Sequence, residues 1–180
     1  MSLNVKPLTK DIHGKFKNRF DCGNNRLNRF FSGAEYLDDG IGITYVFLSD
    51  DNSEMIGYYN LTTGVISDSD NPHNRIGGSV HINCFALGSE YHGLLQDYDE
   101  NRKPIKLSDI FFRECIENVI TIRNKIGFTF ITLSSTEEGY NLYKRAMFED
   151  LEDDMFIAEK DMEQAGCVPM YYSLDIEDYK

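Results

Sequence analysis

Tyr140, Tyr143 and Met147 follow one another at three- and four-residue spacing. A tyrosine phenol ionises at about pH 10, so a positioned one can hand a proton to a departing anion. By spacing alone the three residues make a helical packing stripe, the simpler reading. Glu90, His92 and His81 are side chains that could take up a proton. Imidazole titrates near neutrality and suits that work, although a lone loop histidine is ordinarily just solvated. No base is singled out. Arg102, Lys103 and Lys106 precede a helix start at Leu107-Ser108-Asp109. A helix start leaves free N–H donors and a positive dipole end, which together suit an anion such as a phosphate. Ser108 or Asp109 equally suits the role of helix cap.

Metal chemistry has little support. His13, His73, His81 and His92 form no H-x-x-x-H pair, and Cys22, Cys84, Cys115 and Cys167 form no C-x-x-C pair. Cys84 and Cys115 fall in apolar periodic segments and read as buried, reduced thiols.

The elements that position these residues follow from periodicity. Residues 3–8 read as a short strand. Residues 24–37 read as a helix, with Leu27, Phe30, Phe31, Ala34 and Leu37 on one face, ended by Gly40 and Gly42. Residues 43–48 (ITYVFL) and 55–66 (MIGYYNLTTGVI) are strands joined through Asp50-Asp51-Asn52-Ser53 as an antiparallel hairpin. Residues 67–78 are a loop, 80–87 (VHINCFAL) a strand, and 88–106 a polar stretch with no element. A loop of that length is functional or mobile, and its position would cover the approach to the helix start. Residues 107–126 carry the strongest helical pattern, with Phe112, Cys115, Ile116, Val119 and Ile120 as the apolar stripe and Gly127 as the stop. A strand at 128–133, a helix at 137–147 and a strand at 170–176 complete the order. Adjacent strands followed by helix–strand alternation imply an α/β (α+β) domain with a mixed sheet and helices packed on it. Nothing marks a domain boundary, so residues 1–180 read as one domain.

The composition narrows the partners. Thirty Asp and Glu against eighteen Lys and Arg give a net charge of −12. Such a surface repels a nucleic-acid backbone and favours a cationic or amine-bearing ligand. Lys6, Lys10, Lys15, Lys17 and Arg19 read as a solvated face diluted by Asn18 and Asp21, and the acidic segment 149–164 reads likewise. No signal-like or membrane-length apolar run occurs, so a cytoplasmic protein is expected.

Four local patterns carry a resemblance. Phe20-Asp21-Cys22-Gly23 is followed by Leu27-Asn28, and Ile56-Gly57-Tyr58-Tyr59-Asn60-Leu61 lies in the second strand. Phe85-Ala86-Leu87 precedes Tyr91-His92-Gly93, and Leu142 to Phe148 reads LYKRAMF. In this order they resemble the GNAT N-acetyltransferases, and most closely the subgroup of tRNA-acetylating toxins of bacterial toxin–antitoxin pairs. The likeness spans residues 20–148. It implies a mixed, mostly antiparallel sheet of about six strands, with a V-shaped splay between strands 80–87 and 128–134. It implies acetyl-CoA as co-substrate and no metal. The pantetheine arm would add to the strand carrying Phe85, Ala86 and Leu87 as though it were a neighbouring strand. Tyr143 matches the family's general-acid tyrosine.

The phosphate loop departs from the family's glycine-rich turn. Tyr91-His92-Gly93 begins in register, then an insertion from roughly Leu95 to Ile105 interrupts it. Lys106 and Ser108 stand where glycines are usual, and Met147 replaces the glycine of the last signature. Two outcomes stay open. Gly93, Lys106, Leu107, Ser108 and Asp109 hold the phosphates by charge and backbone N–H groups, or Asp109 caps the helix and the loop is closed to CoA. The corresponding functions are an acetyltransferase acting on a small-molecule or peptide amine, and a non-catalytic GNAT-fold binding protein. A toxin-like aminoacyl-tRNA acetyltransferase is the variant that the charge disfavours. A homodimer and an antitoxin-like partner are left open.

Overall fold

The computed structural model describes residues 4–33, 40–157 and 166–174. These contain strands β1 (Asn4–Pro7), β2 (Ile43–Leu48), β3 (Met55–Asp68), β4 (Arg75–Leu87), β5 (Leu95–Tyr98), β6 (Pro104–Lys106), β7 (Phe130–Ser135), β8 (Glu149–Asp150), β9 (Met155–Ile157) and β10 (Val168–Ser173). The helices are α1 (Lys10–Phe16), α2 (Asn25–Ser32), α3 (Leu107–Arg123) and α4 (Glu137–Arg145). The main sheet runs β1-β2-β3-β4-β7-β10-β8, with β9 on β3. β4 pairs with β7 in parallel, whereas β1–β2, β2–β3, β7–β10, β10–β8 and β3–β9 are antiparallel. The sheet is therefore mixed and mostly antiparallel, with more strands than the sequence suggested because β8 and β9 lie inside the acidic segment. The remainder of that segment, residues 158–164, lies outside the described residues, as do Ala34, Leu37 and the end of the last strand.

The chain falls into two compact units, residues 1–62 with 84–112 and residues 63–83 with 113–180, and β3 and β4 thread both. In the first unit, Phe16, Phe31, Val46, Leu48, Tyr58 and Ala86 are buried in one core. Tyr58 is fully buried, and its hydroxyl donates to the Leu27 carbonyl at 2.7 Å. Burial therefore leaves no polar atom unpaired there. Helix α1 is a seven-residue element that the sequence reading did not distinguish. Thr9 caps it by accepting from the Ile12 N–H, and His13 and Phe16 turn inward. In the second unit, Ile66, Phe130, Ile157 and Tyr171 form the core.

Two differences from the sequence reading have plain causes. β4 begins at Arg75, inside the supposed loop, although Gly77 and Gly78 resemble loop residues. A Cβ on Gly77 would lie 2.7 Å from Cε2 of Phe130, so this strand glycine makes room for a ring. Residues 95–106 form a β5–β6 hairpin rather than an unstructured loop. Asp99 makes its turn by accepting from the N–H groups of Asn101 and Lys103, and Arg102 takes a left-handed φ of 60°.

Candidate active site

Strand β4 ends where the close approach of β3 fixes its backbone. A Cβ on Gly57 would lie 2.4 Å from the Ala86 carbonyl oxygen, so no other residue fits there. The Ala86 carbonyl thus faces β3, and strand alternation turns the backbone groups of Phe85 and Leu87 the other way. Leu87 is already engaged, because its carbonyl lies 2.9 Å from His92 Nε2. A carbonyl only accepts, so Nε2 is the donor in this bond. His92, a candidate base by sequence, therefore serves as a tether for the strand end.

The turn after β4 is held from several sides. Gly88 N–H donates to Ile56 O at 2.8 Å and Ser89 N–H to Asp21 O at 2.9 Å. Gly93 has φ 70° and open space where a Cβ would stand, a backbone position that favours glycine. The Phe20–Asn28 pattern supports this turn. The Asn28 side-chain oxygen accepts from Cys22 N–H, and its amide donates to the Asp21 carboxylate, which also accepts from Gly23 N–H. These bonds hold the Asp21 carboxyl below the usual range, the Gly23 N–H contributing most. Asn24 then caps α2 through the N–H groups of Arg26 and Leu27. The sequence signal was the pattern itself; its job as a brace for the turn was not readable.

The start of α3 is partly satisfied by the protein. Leu107 N–H donates to Leu94 O at 2.8 Å, and Lys106 N–H to the Asp109 carboxylate at 2.9 Å. Asp109 therefore caps the helix start, and the Leu107 amide is spent on Leu94. The Ser108 N–H, at the second helical position, has no intrahelical partner by geometry. Arg102 and Lys103 are exposed on the hairpin and Lys106 is half-buried. Cations and a helix N-terminus thus lie in one short segment. Behind them, Phe111 is edge-on to Phe47 at 4.8 Å and Phe112 edge-on to Phe85 at 5.2 Å.

In the second unit the β4–β7 ladder runs from Ser79–Phe130 to Ile82–Leu133, and Phe85 to Leu87 lie beyond its last pair. β7 leads through the Thr136 cap into α4, which carries Tyr143. Tyr143 is half-buried, its ring 6.3 Å from that of Phe148. Helix α4 closes with two crossed bonds, Phe148 N–H to Tyr143 O and Met147 N–H to Lys144 O, and Met147 has φ 66°. This is a Schellman closure with methionine at the position that favours glycine. His81 is buried, with Nδ1 2.9 Å from Thr132 Oγ1. Burial raises the Cys84 thiol pKa to about 12 and lifts that of Cys115 further, so neither is a ready nucleophile. Among the described residues no group of three His, Cys, Asp or Glu could hold a metal ion, and no helix is long and apolar enough to cross a membrane.

No protein-family model and no curated protein matches the sequence. Solved structures match over nearly all of it. A structure described as a bacterial toxin is 16% identical with a TM-score of 0.70, covering 96% of this chain and 90% of the other. The chain has the GNAT fold. A tyrosine-to-phenylalanine mutant of the AtaT toxin, bound to the C-terminus of the antitoxin AtaR and acetyl-CoA, matches at 17% identity and a TM-score of 0.62, covering 96% and 94%. AtaT complexed with acetyl-methionyl-tRNAfMet matches at 16% and 0.65, covering 96% and 95%. Within the GNAT fold, the end of β4, the turn to Gly93, the start of α3 and the Tyr143 helix are the segments the sequence patterns singled out.

Proposed function

We propose that this protein is an acetyl-CoA-dependent N-acetyltransferase acting on a primary amine by direct transfer, with Tyr143 as general acid. The observation that carries the reading is the end of β4, where the parallel ladder has stopped and the turn that follows is braced by Ile56 of β3 and by the Asp21 segment. The amides of the pantetheine arm would bond to Phe85 and to the Leu87 N–H, strand addition applied to a co-substrate. Ala86, whose carbonyl faces β3, contributes packing. Gly93 leaves room for the phosphates, and Ser108 N–H with Arg102, Lys103 and Lys106 supplies donors and charge.

The amine nitrogen attacks the thioester carbonyl, the C–N bond forms and the C–S bond breaks. The sulfur leaves with the electron pair and takes the Tyr143 hydroxyl proton. The nitrogen's surplus proton passes to water, which restores the phenol. The net charge of −12 favours a small or cationic acceptor. One finding favours a second acceptor, an aminoacyl-tRNA: the AtaT structure matched above holds an acetylated one.

The test is acetyl-CoA binding beside acceptor turnover. At a hundredfold excess over its Kd, acetyl-CoA is expected to stabilise the chain by about 2.7 kcal/mol, read as a rise in Tm. Free CoA is then expected from one member of a panel of amines and aminoacyl-tRNAs. No rise in Tm and no CoA from any acceptor would leave a non-catalytic binding protein.

A further inference from the structure

The helix that carries the proposed acid is weakly held by packing. None of the nine residues of α4 is buried, and Gly139, Tyr140, Leu142 and Tyr143 are half-buried. Little apolar area is therefore removed from water to fix where the helix lies. The Tyr143 ring leans back over the first turn of the same helix, where a Cβ on Gly139 would stand 3.0 Å from Tyr143 Cε2. A side chain that rests on its own helix moves with it. The hydroxyl is thus only as well placed as α4.

A carboxylate outside the helix takes hold of it. The Tyr140 hydroxyl donates to Asp150, with both carboxylate oxygens at 2.9 Å. The Lys144 ammonium lies 3.5 Å from Oδ1 of the same carboxylate and 5.8 Å from the centre of the Tyr140 ring. Tyr140 and Lys144 are one turn apart and flank Tyr143 in sequence. Through its hydrogen bond, Asp150 holds the Tyr140 phenol above its usual range, with Lys144 acting in the opposite direction. Asp150 itself belongs to the sheet. On β8 it stands opposite Met170 of β10, which is fully buried, and β10 pairs with β7 over six residues. The bond from Tyr140 to Asp150 therefore spans the end of α4 and the left-handed Met147 turn, and fastens the helix to the strand that follows.

We infer that Asp150 is a positioning residue for the transfer: by holding Tyr140 it fixes α4, and with it the Tyr143 hydroxyl. The inference rests on the reading of Tyr143 as general acid and names what aims it. A general acid must sit within hydrogen-bond reach of the atom it protonates, so a displacement of about 1 Å is costly in rate. No residue assigned to acetyl-CoA belongs to this clamp, so the loss falls on kcat rather than on co-substrate binding. The Lys144 contact is exposed, and such ion pairs are weak in water. The hydroxyl–carboxylate bond, a charge-assisted one, carries the role.

The test uses the full chain and two readouts. In the first, 3-fluorotyrosine replaces the 11 tyrosines, and the Tyr143 fluorine resonance is assigned by its absence in Tyr143→Phe. Asp150→Ala is expected to shift and broaden it. Asp150→Asn, whose amide oxygen still accepts from Tyr140, is expected to keep it near the wild-type position. In the second, CoA release from acetyl-CoA is followed with the panel amine that turns over. kcat is expected to fall on the order of 10-fold in Asp150→Ala and in Tyr140→Phe, with acetyl-CoA affinity unchanged and Asp150→Asn in between. The two losses should not add in the double variant, since they break one bond. Nor should Asp150→Ala lower kcat further in Tyr143→Phe, because misplacing an acid matters only while the acid is present. A Tyr143 resonance or a kcat that Asp150→Ala leaves unchanged would overturn the inference. So would an additive loss on top of Tyr143→Phe, a matching loss of acetyl-CoA affinity, or an Asp150→Asn protein as impaired as Asp150→Ala. The fluorine readout needs no acceptor and decides the matter if no amine turns over. Where Asp150→Ala fails to fold, Tyr140→Phe, which deletes one hydroxyl, makes the same test. If Tyr143→Phe itself leaves kcat unchanged, the general-acid reading falls. If it lowers kcat while Asp150→Ala does not, this inference alone falls.

Discussion

Met147 stands at a backbone position with φ 66°, where a Cβ crowds the following carbonyl. The Schellman bonds from Met147 and Phe148 require that conformation if α4 is to end after Tyr143. The methionine side chain is 74% exposed, so removing it forfeits little packing. Met147→Gly is therefore expected to raise stability by up to about 1 kcal/mol, the relief of left-handed strain less the extra freedom of the unfolded chain. Urea unfolding of both proteins measures it, and a less stable glycine variant would mean that the methionine side chain makes contacts that hold the turn. Asn28 shows what a short pattern can encode. One side chain satisfies Cys22 and orients Asp21, whose carbonyl takes the Ser89 N–H. The residues were readable as a pattern, but their partner Ser89 lies 68 positions beyond Asp21, and spacing carries no such information.

At the scale of elements, legibility followed length and period. β2 was readable to the residue because its first five residues are β-branched or aromatic, and the start of α3 because Phe112, Cys115 and Val119 recur on one buried face, although the helix ends at Arg123 rather than at 126. α1 was not, since seven residues hold too few periods, and β4 lost its first half to Gly77 and Gly78. The β5–β6 hairpin was hidden by Asp-Glu-Asn-Arg, which lacks the Asn-Gly signal of a tight turn. That hairpin pairs only with itself among the described strands, and Leu94, Leu95 and Tyr98 on it are exposed. The Leu107 to Leu94 hydrogen bond already holds its ends together. Replacing residues 95–105 by a short glycine linker is thus expected to shift Tm by less than about 3 °C, or about 1 kcal/mol. Acetyl-CoA affinity is expected to fall on the order of 100-fold with the loss of Arg102 and Lys103, two charged contacts worth about 1.5 kcal/mol each. Unchanged acetyl-CoA affinity in a folded variant would remove the hairpin from the phosphate site.

Over the whole molecule, the proposed transfer draws on residues that composition alone would not have gathered. The fold was legible from the order of elements, while the spent Leu107 amide, the tethered His92 and the left-handed Met147 required coordinates. Catalysis in this account rests on Tyr143, and the most direct test is Tyr143→Phe in the full chain. Steady-state CoA release with the acceptor found by the panel is measured beside acetyl-CoA binding and Tm. Removing only the hydroxyl is expected to leave binding and Tm near those of wild type. kcat is expected to fall by a factor on the order of 10² to 10⁴, the contribution of a positioned general acid. An unchanged kcat in a folded, acetyl-CoA-binding Tyr143→Phe protein would contradict the mechanism.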